Sequence, residues 1–175
     1  MKPTNIGFEN FPAEFYAQNT FIIGGNATLL NEAAAQLAKL NADGNTVLVT
    51  DPYLFQNDPN GGTYLSDLLA LLSGLKASKI IYCAHQKSSA AFFQQVQTAL
   101  QAKGTTLVFD NRLVGCHDRF WYCPETEKCV VFGTSLNGIG KKICRIDELT
   151  EDEAKELKQY FISAGILTSG DDSGS

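Results

Sequence analysis

The 175-residue chain is 44% hydrophobic with a formal net charge of −5 at pH 7, enough apolar material for one sizeable core but too short for two ordinary domains. Its acidic balance, with a sequence pI near 5.0, excludes a protein that grips nucleic acid or acidic lipid by overall charge, so any polyanion has to meet a local basic patch. The opening MKPTNIGFENFPAEF sets polar and acidic groups where a signal peptide needs an unbroken apolar run, and no run of about 18 apolar residues occurs; the expectation is one cytoplasmic domain over residues 1–168 without a transmembrane segment, then a disordered polar tail, SGDDSGS, at 169–175.

TFIIGG at 20–25 is a short β-rich run closed by paired glycines. GGN at 24–26 fits neither the dinucleotide fingerprint nor the P-loop pattern, so nucleotide binding of those types is discounted. Leu29, Leu30, Ala33, Ala34, Leu37 and Leu40 recur at three- and four-residue spacing and predict a helix. After Gly44 and Asn45, TVLVT (46–50) is a strand that runs into DPYLF. Tyr64, Leu65, Leu68, Leu69, Leu72 and Leu75 again have helical period, apolar along one side as suits a helix covering a sheet. SKIIYCA (78–84) is the next strand, and His85 after it reads as a surface turn residue. A helix over 88–101 follows, with Phe92, Phe93, Val96, Ala99 and Leu100 as its buried stripe and Lys103 and Gly104 at its end. TTLVFD (105–110) is a strand; DRFWYCPETEKCVVFGTS (118–135) places two β-rich runs around a polar turn, a hairpin; KKICRI (141–146) is the last strand. Thr150 with Glu153 three residues on forms a capping box for a closing helix with an acidic first turn.

Strands alternating with helices predict an α/β fold with right-handed crossovers, to which the hairpin adds antiparallel strands. The expected architecture is a three-layer α/β/α sandwich with a mixed, mostly parallel sheet. Sites in such sheets lie beyond the carboxyl ends of the strands, which directs attention to Asp51, Asp110 and His117.

Cys83, Cys116, Cys123, Cys129 and Cys144 are an odd set without a CxxC pair, and reduced thiols are the default reading. Cys116, His117, Cys123 and Cys129 have zinc-ligand chemistry, but adjacent Cys116 and His117 would point to opposite faces of a strand, and structural zinc sites draw on closely spaced pairs. Cys123 and Cys129 bracket PETEK and either face each other across the hairpin or are small apolar strand residues.

The richest constellation runs from His117 to Lys142. His117, Asp118 and Arg119 are followed, past the hairpin, by Gly133, Ser135, Asn137, Gly138, Gly140, Lys141 and Lys142. An imidazole beside a guanidinium, with a hydroxyl and an amide from a neighbouring turn, offers a nucleophile and several donors for phosphate oxygens. Glycines let backbone approach an anion, and the lysines add local positive charge, although they read equally as a solvated face.

HDRF, a hairpin, then GTSLNGIGKK resembles the HxK and GSxN signature of the phospholipase D superfamily, and DPYLF is similar to segments that precede it in small members. The resemblance covers about residues 48–146 in order. It implies a phospholipase D-like fold in which His117 attacks phosphorus to give a phosphohistidine, while Arg119, Ser135 and Asn137 bind the phosphoryl oxygens, with Lys141 and Lys142 as weaker contacts. It implies no metal and no cofactor. Because the family's site combines two motifs and this chain holds one, it also implies a homodimer. Two departures stand out. Arg119 replaces the lysine, keeping the charge but not its reach; and the motif's acidic residue falls on Pro124, so Asp51 or Asp110 has to supply any carboxylate that orients the imidazole. Two readings follow: a metal-independent, nuclease-like phosphodiesterase acting on nucleic acid or another phosphodiester, and a silent module that binds a phosphate-containing ligand or a partner.

Overall fold

A computed structural model of the chain describes residues 19–22, 27–56, 63–85, 89–113, 115–136 and 144–169. GGN at 24–26, Asn137, Lys141, Lys142 and the tail from 170 onward lie outside the described residues. The elements are β1 (Asn19–Ile22), α1 (Ala27–Ala38), β2 (Thr46–Val49), α2 (Tyr64–Gly74), β3 (Lys79–Cys83), α3 (Ala90–Gln101), β4 (Thr106–Asp110), β5 (Arg119–Cys123), β6 (Lys128–Phe132), β7 (Cys144–Glu148) and α4 (Glu151–Ser163). No described helix is long and apolar enough to cross a membrane.

All seven strands form one sheet in the order β1-β7-β6-β5-β2-β3-β4. The sheet is mixed, as expected, but not mostly parallel. Only β2–β3 and β3–β4 pair in parallel, whereas β1–β7, β2–β5, β5–β6 and β6–β7 are antiparallel. The difference comes from both ends of the chain: β1 pairs with β7 at the far edge instead of joining the parallel block, and β5, β6 and β7 add three further antiparallel pairings beside β2. Periodicity fixes what kind of element a segment forms, not which strand it pairs with.

Side chains alternate across this sheet into two clusters, as the two-residue period of a strand requires. Val47, Val49, Ile80, Tyr82, Trp121, Cys123, Val130 and Phe132 share one core with the buried stripes of α1, α2 and α3. Leu48, Ile81, Cys83, Tyr122 and Cys129 meet Ala154, Leu157 and Phe161 of α4 in the other. Phe161 stacks on Tyr122 with ring centroids 5.8 Å apart. Burial of each valine, leucine, isoleucine or phenylalanine among them contributes about 1.5–3 kcal/mol.

Local signals hold the helix ends. The Ser89 hydroxyl accepts the Phe92 amide proton at 3.3 Å at the start of α3, and Thr150 and Glu153 make the reciprocal capping box that opens α4. In the hairpin, Tyr122 lies opposite Cys129 and Cys123 opposite Lys128. Cys123 and Cys129 therefore point to opposite faces and cannot pair, which corrects the cross-hairpin reading; both are buried, free thiols packed as small apolar groups.

Candidate functional site

Antiparallel pairing of β2 with β5, and of β5 with β6, brings three chain segments together at one end of these interior strands. Val49, last in β2, lies opposite Trp121, and Arg119, first in β5, lies opposite Phe132, last in β6. The residues after β2, before β5 and after β6 are thus neighbours: Thr50 and Asp51, His117 to Arg119, and Gly133 to Leu136.

Thr50 ties the first two segments together. Its amide donates to the Phe120 carbonyl at 3.0 Å, its hydroxyl donates to the Asp118 carbonyl at 2.7 Å, and the same oxygen accepts the Phe120 amide proton at 2.8 Å. Asp51 ties in the third. It is 0% exposed, and its carboxylate accepts the Ser135 hydroxyl at 2.7 Å, the Leu136 amide at 3.1 Å and the Tyr53 amide at 3.1 Å. Arg119 Nε stands 4.0 Å from Oδ1, the carboxylate oxygen that accepts the Tyr53 amide. Burial pushes the Asp51 carboxyl above the ordinary carboxylate range, opposed by the Ser135, Leu136 and Tyr53 hydrogen bonds and the Arg119 charge.

The Asp-Pro turn that carries Asp51 is itself anchored. The Tyr82 hydroxyl donates to the Pro52 carbonyl at 3.2 Å and the Tyr64 hydroxyl to the Leu54 carbonyl at 2.7 Å. Phe55 sits edge-on to Tyr82 and Phe93, with centroids 4.6 and 5.0 Å away. Beyond β6, the Gly133 amide donates to the Arg145 carbonyl at 2.8 Å. A Cβ at Gly133 would lie 3.1 Å from that oxygen, so β7 runs too close for a side chain to sit there undisturbed.

The Arg119 side chain is 23% exposed. One Nη reaches the Gly133 carbonyl at 3.5 Å, and Nε is buried without a hydrogen-bond partner among the described residues. Its hydrogen-bonding capacity is therefore only partly used among the described residues. His117 is exposed. Among the described residues it has no hydrogen-bond or ion-pair partner, and neither Asp51 nor Asp110 bonds to it. Asp110 is instead gripped by Arg112, through the amide at 2.9 Å, Nε at 3.0 Å and a closer Nη contact. That guanidinium holds the Asp110 carboxyl below its usual range. Arg112 also donates to the Gly165 carbonyl beyond α4, so this pair fastens the α4 end rather than serving an imidazole.

Of the residues singled out by sequence, Arg119, Ser135 and Asp51 are brought together, and His117 stands at the start of the same segment. Asp51 serves Ser135 and Arg119 rather than the histidine. Thr50 carried no motif signal; a hydroxyl between a strand and an Asp-Pro turn was the only hint. Pro124 is buried in the β5–β6 turn, five residues along an extended strand from Arg119, a separation of roughly 17 Å. An acidic side chain at that position could not reach His117, so its absence does not bear on the histidine. Among the described residues no cluster of three His, Cys, Asp or Glu side chains is arranged to hold a metal.

No protein-family profile matches the chain, and no curated protein matches it. Solved structures do. It is similar to TrmBL2, an archaeal chromatin protein described as showing a novel mode of DNA binding (TM-score 0.45, 11% identity, 89% of this chain and 54% of that one). It is similar to phosphatidylserine synthase from Haemophilus influenzae (0.48, 14%, 83% and 36%). It is also similar to polyphosphate kinase from Porphyromonas gingivalis (0.51, 11%, 93% and 29%). The chain thus spans between 29% and 54% of the length of these structures. The likeness to polyphosphate kinase, at 11% identity over 93% of this chain, is one of fold.

Proposed function

We propose that this chain is a phospholipase D-like, three-layer α/β/α module that binds a phosphodiester where the ends of β2, β5 and β6 meet, with Arg119 as the principal contact. The observation that carries this reading is the state of the Arg119 side chain: set beside a buried carboxylate at 4.0 Å, with 23% of the side chain exposed and an Nε that has no hydrogen-bond partner among the described residues. Guanidinium groups pair with phosphate oxygens through charge-assisted bonds, often two at once. Asn137, Lys141 and Lys142 follow in the same chain segment and complete the anion contacts in this reading. Asp51 neutralises part of the local charge, which favours a singly charged diester over a long polyanion and agrees with the net charge of −5. One motif per chain, against two in the family's site, makes a homodimer part of the proposal; light scattering on the purified protein tests it.

Binding without cleavage is preferred because His117 has no orienting carboxylate among the described residues, and the Ser135 proton is committed to Asp51. A second reading, a metal-independent phosphodiesterase with His117 as nucleophile, is favoured by the exposure of that imidazole and by the irrelevance of Pro124. In it, His117 attacks phosphorus as the P–O bond to the leaving group breaks, that oxygen takes a proton from water, and a second water then cleaves the N–P bond to release the phosphomonoester and the free imidazole. Incubation of wild-type and His117→Ala protein with bis-p-nitrophenyl phosphate, DNA and RNA in EDTA separates the two. Saturable binding without nitrophenolate release supports the binding reading; release that survives chelation and vanishes in the variant supports the hydrolase; absence of both binding and turnover rejects the phosphodiester reading.

A further inference from the structure

We propose that Thr50 and Asp51, consecutive at the carboxyl end of β2, are positioning residues whose side chains fasten the three segments of the anion site to one another beyond the strand pairing. The proposal rests on the phosphodiester reading for its ligand, but its geometry stands separately. Thr50 grips the main chain on both sides of Arg119, at Asp118 and Phe120, with bonds of 2.7 and 2.8 Å. Asp51 grips the loop after β6 through one side chain and one amide. Between them they join residues 68 to 85 positions apart in sequence. Neither is offered as a ligand contact: Thr50 and Asp51 are buried, and their polar atoms are used on the protein itself.

The chemistry of each side chain is specific to this task. Thr50 uses one oxygen as donor and acceptor together, which a hydroxyl does and a methyl group cannot. Asp51 presents only acceptors, to three protons that approach from Tyr53, Ser135 and Leu136. An asparagine there would set its amide group against the Tyr53 or the Leu136 N–H, donor facing donor, in either orientation.

The test uses the full chain as wild type, Thr50→Val, Thr50→Ser and Asp51→Asn. Affinity is read on the Thr50 variants, because Asp51→Asn also removes a negative charge beside an anion site. Loss of one such bond corresponds to about a tenfold effect. Thr50→Val should therefore bind bis-p-nitrophenyl phosphate about tenfold more weakly at temperatures where it is fully folded, and Thr50→Ser, which keeps the hydroxyl, should bind as wild type. Amide hydrogen exchange gives a ligand-independent arm. Asp51→Asn should expose residues 133–136, and Thr50→Val residues 118–120, while β3 keeps its protection. Thr50→Val with wild-type affinity, or exchange unchanged in both segments, or lost equally throughout the sheet, would overturn the proposal. If wild type fails to bind the diester, the phosphodiester reading falls and the exchange arm alone decides the positioning role; where Asp51→Asn does not fold, Ser135→Ala takes its place in that arm.

Discussion

Replacing Ser135 by alanine removes the shortest of the bonds made to the buried Asp51 carboxylate, 2.7 Å, while leaving the Leu136 and Tyr53 amides in place. A hydrogen bond to a charged group contributes about 1.5–3 kcal/mol, and Ser135 is itself buried, so water cannot readily replace it; the expected loss is about 2 kcal/mol where the Asp51 carboxyl is ionised. For a chain of this size that lowers Tm by roughly 4–8 °C. The cost also has a pH dependence with a definite sign. Burial raises the Asp51 pKa above its ordinary value of 3.8, so in wild type the folded state holds its proton more tightly than the unfolded state. Stability from this group is therefore greatest at low pH and falls as pH rises from the ordinary value through the raised one. The Ser135 bond offsets part of that loss by favouring the charged form. Below the raised pKa the carboxyl is protonated, the bond becomes neutral and about half as strong, and the alanine variant should cost only about 1 kcal/mol. Urea melts of both proteins across the acid range measure this directly. A cost below about 0.5 kcal/mol above the raised pKa, or one that does not shrink below it, would refute the reasoning.

Three further outcomes follow from packing and capping. Phe161→Ala empties a fully buried site against Tyr122 and should cost about 3–5 kcal/mol in denaturant unfolding; a cost under 1.5 would mean that the α4 face packs loosely. Ser89→Ala removes the α3 N-cap bond to Phe92 and should cost about 1 kcal/mol, read as a shift in the urea midpoint at unchanged slope. Among Cys83, Cys116, Cys123 and Cys129, a thiol reagent should modify half-buried Cys116 first in native protein. Cys83, whose pKa burial pushes up to about 12, should react only on unfolding; mass spectrometry of the labelled peptides checks the order.

Legibility differed by the range of the interaction concerned. TVLVT, SKIIYCA, TTLVFD and the DRFWYC hairpin carry their strand character in β-branched and aromatic residues, and each is a strand in place. Thr150 and Glu153 act within one helical turn, so their capping box was readable directly. Strand partnership was not, because nothing local in TFII distinguishes an edge strand on β7 from a member of the parallel block. The facing of Cys123 and Cys129 turned on hairpin register, where a shift of one residue exchanges the two faces. At the candidate site, motif order was enough to single out Arg119 and Ser135, and the end of β2 was enough to single out Asp51. What Asp51 does was hidden, since its bond to Ser135 spans 84 residues and exists only because β2, β5 and β6 are neighbours. Pro124 illustrates the converse: a departure from the motif looked consequential in sequence and lies at the other end of the strand.

Titration of isotopically labelled protein with bis-p-nitrophenyl phosphate in EDTA, followed in proton–nitrogen correlation spectra that include the Arg119 Nε–H, tests the phosphodiester site most directly. Diester binding at this site should move the Arg119 Nε–H and the Gly133 and Leu136 amides saturably, an effect abolished in Arg119→Ala while the spectrum of β3 and β4 is preserved. Saturable shifts confined to another surface, or a wild-type spectrum unmoved at saturating diester, would contradict it.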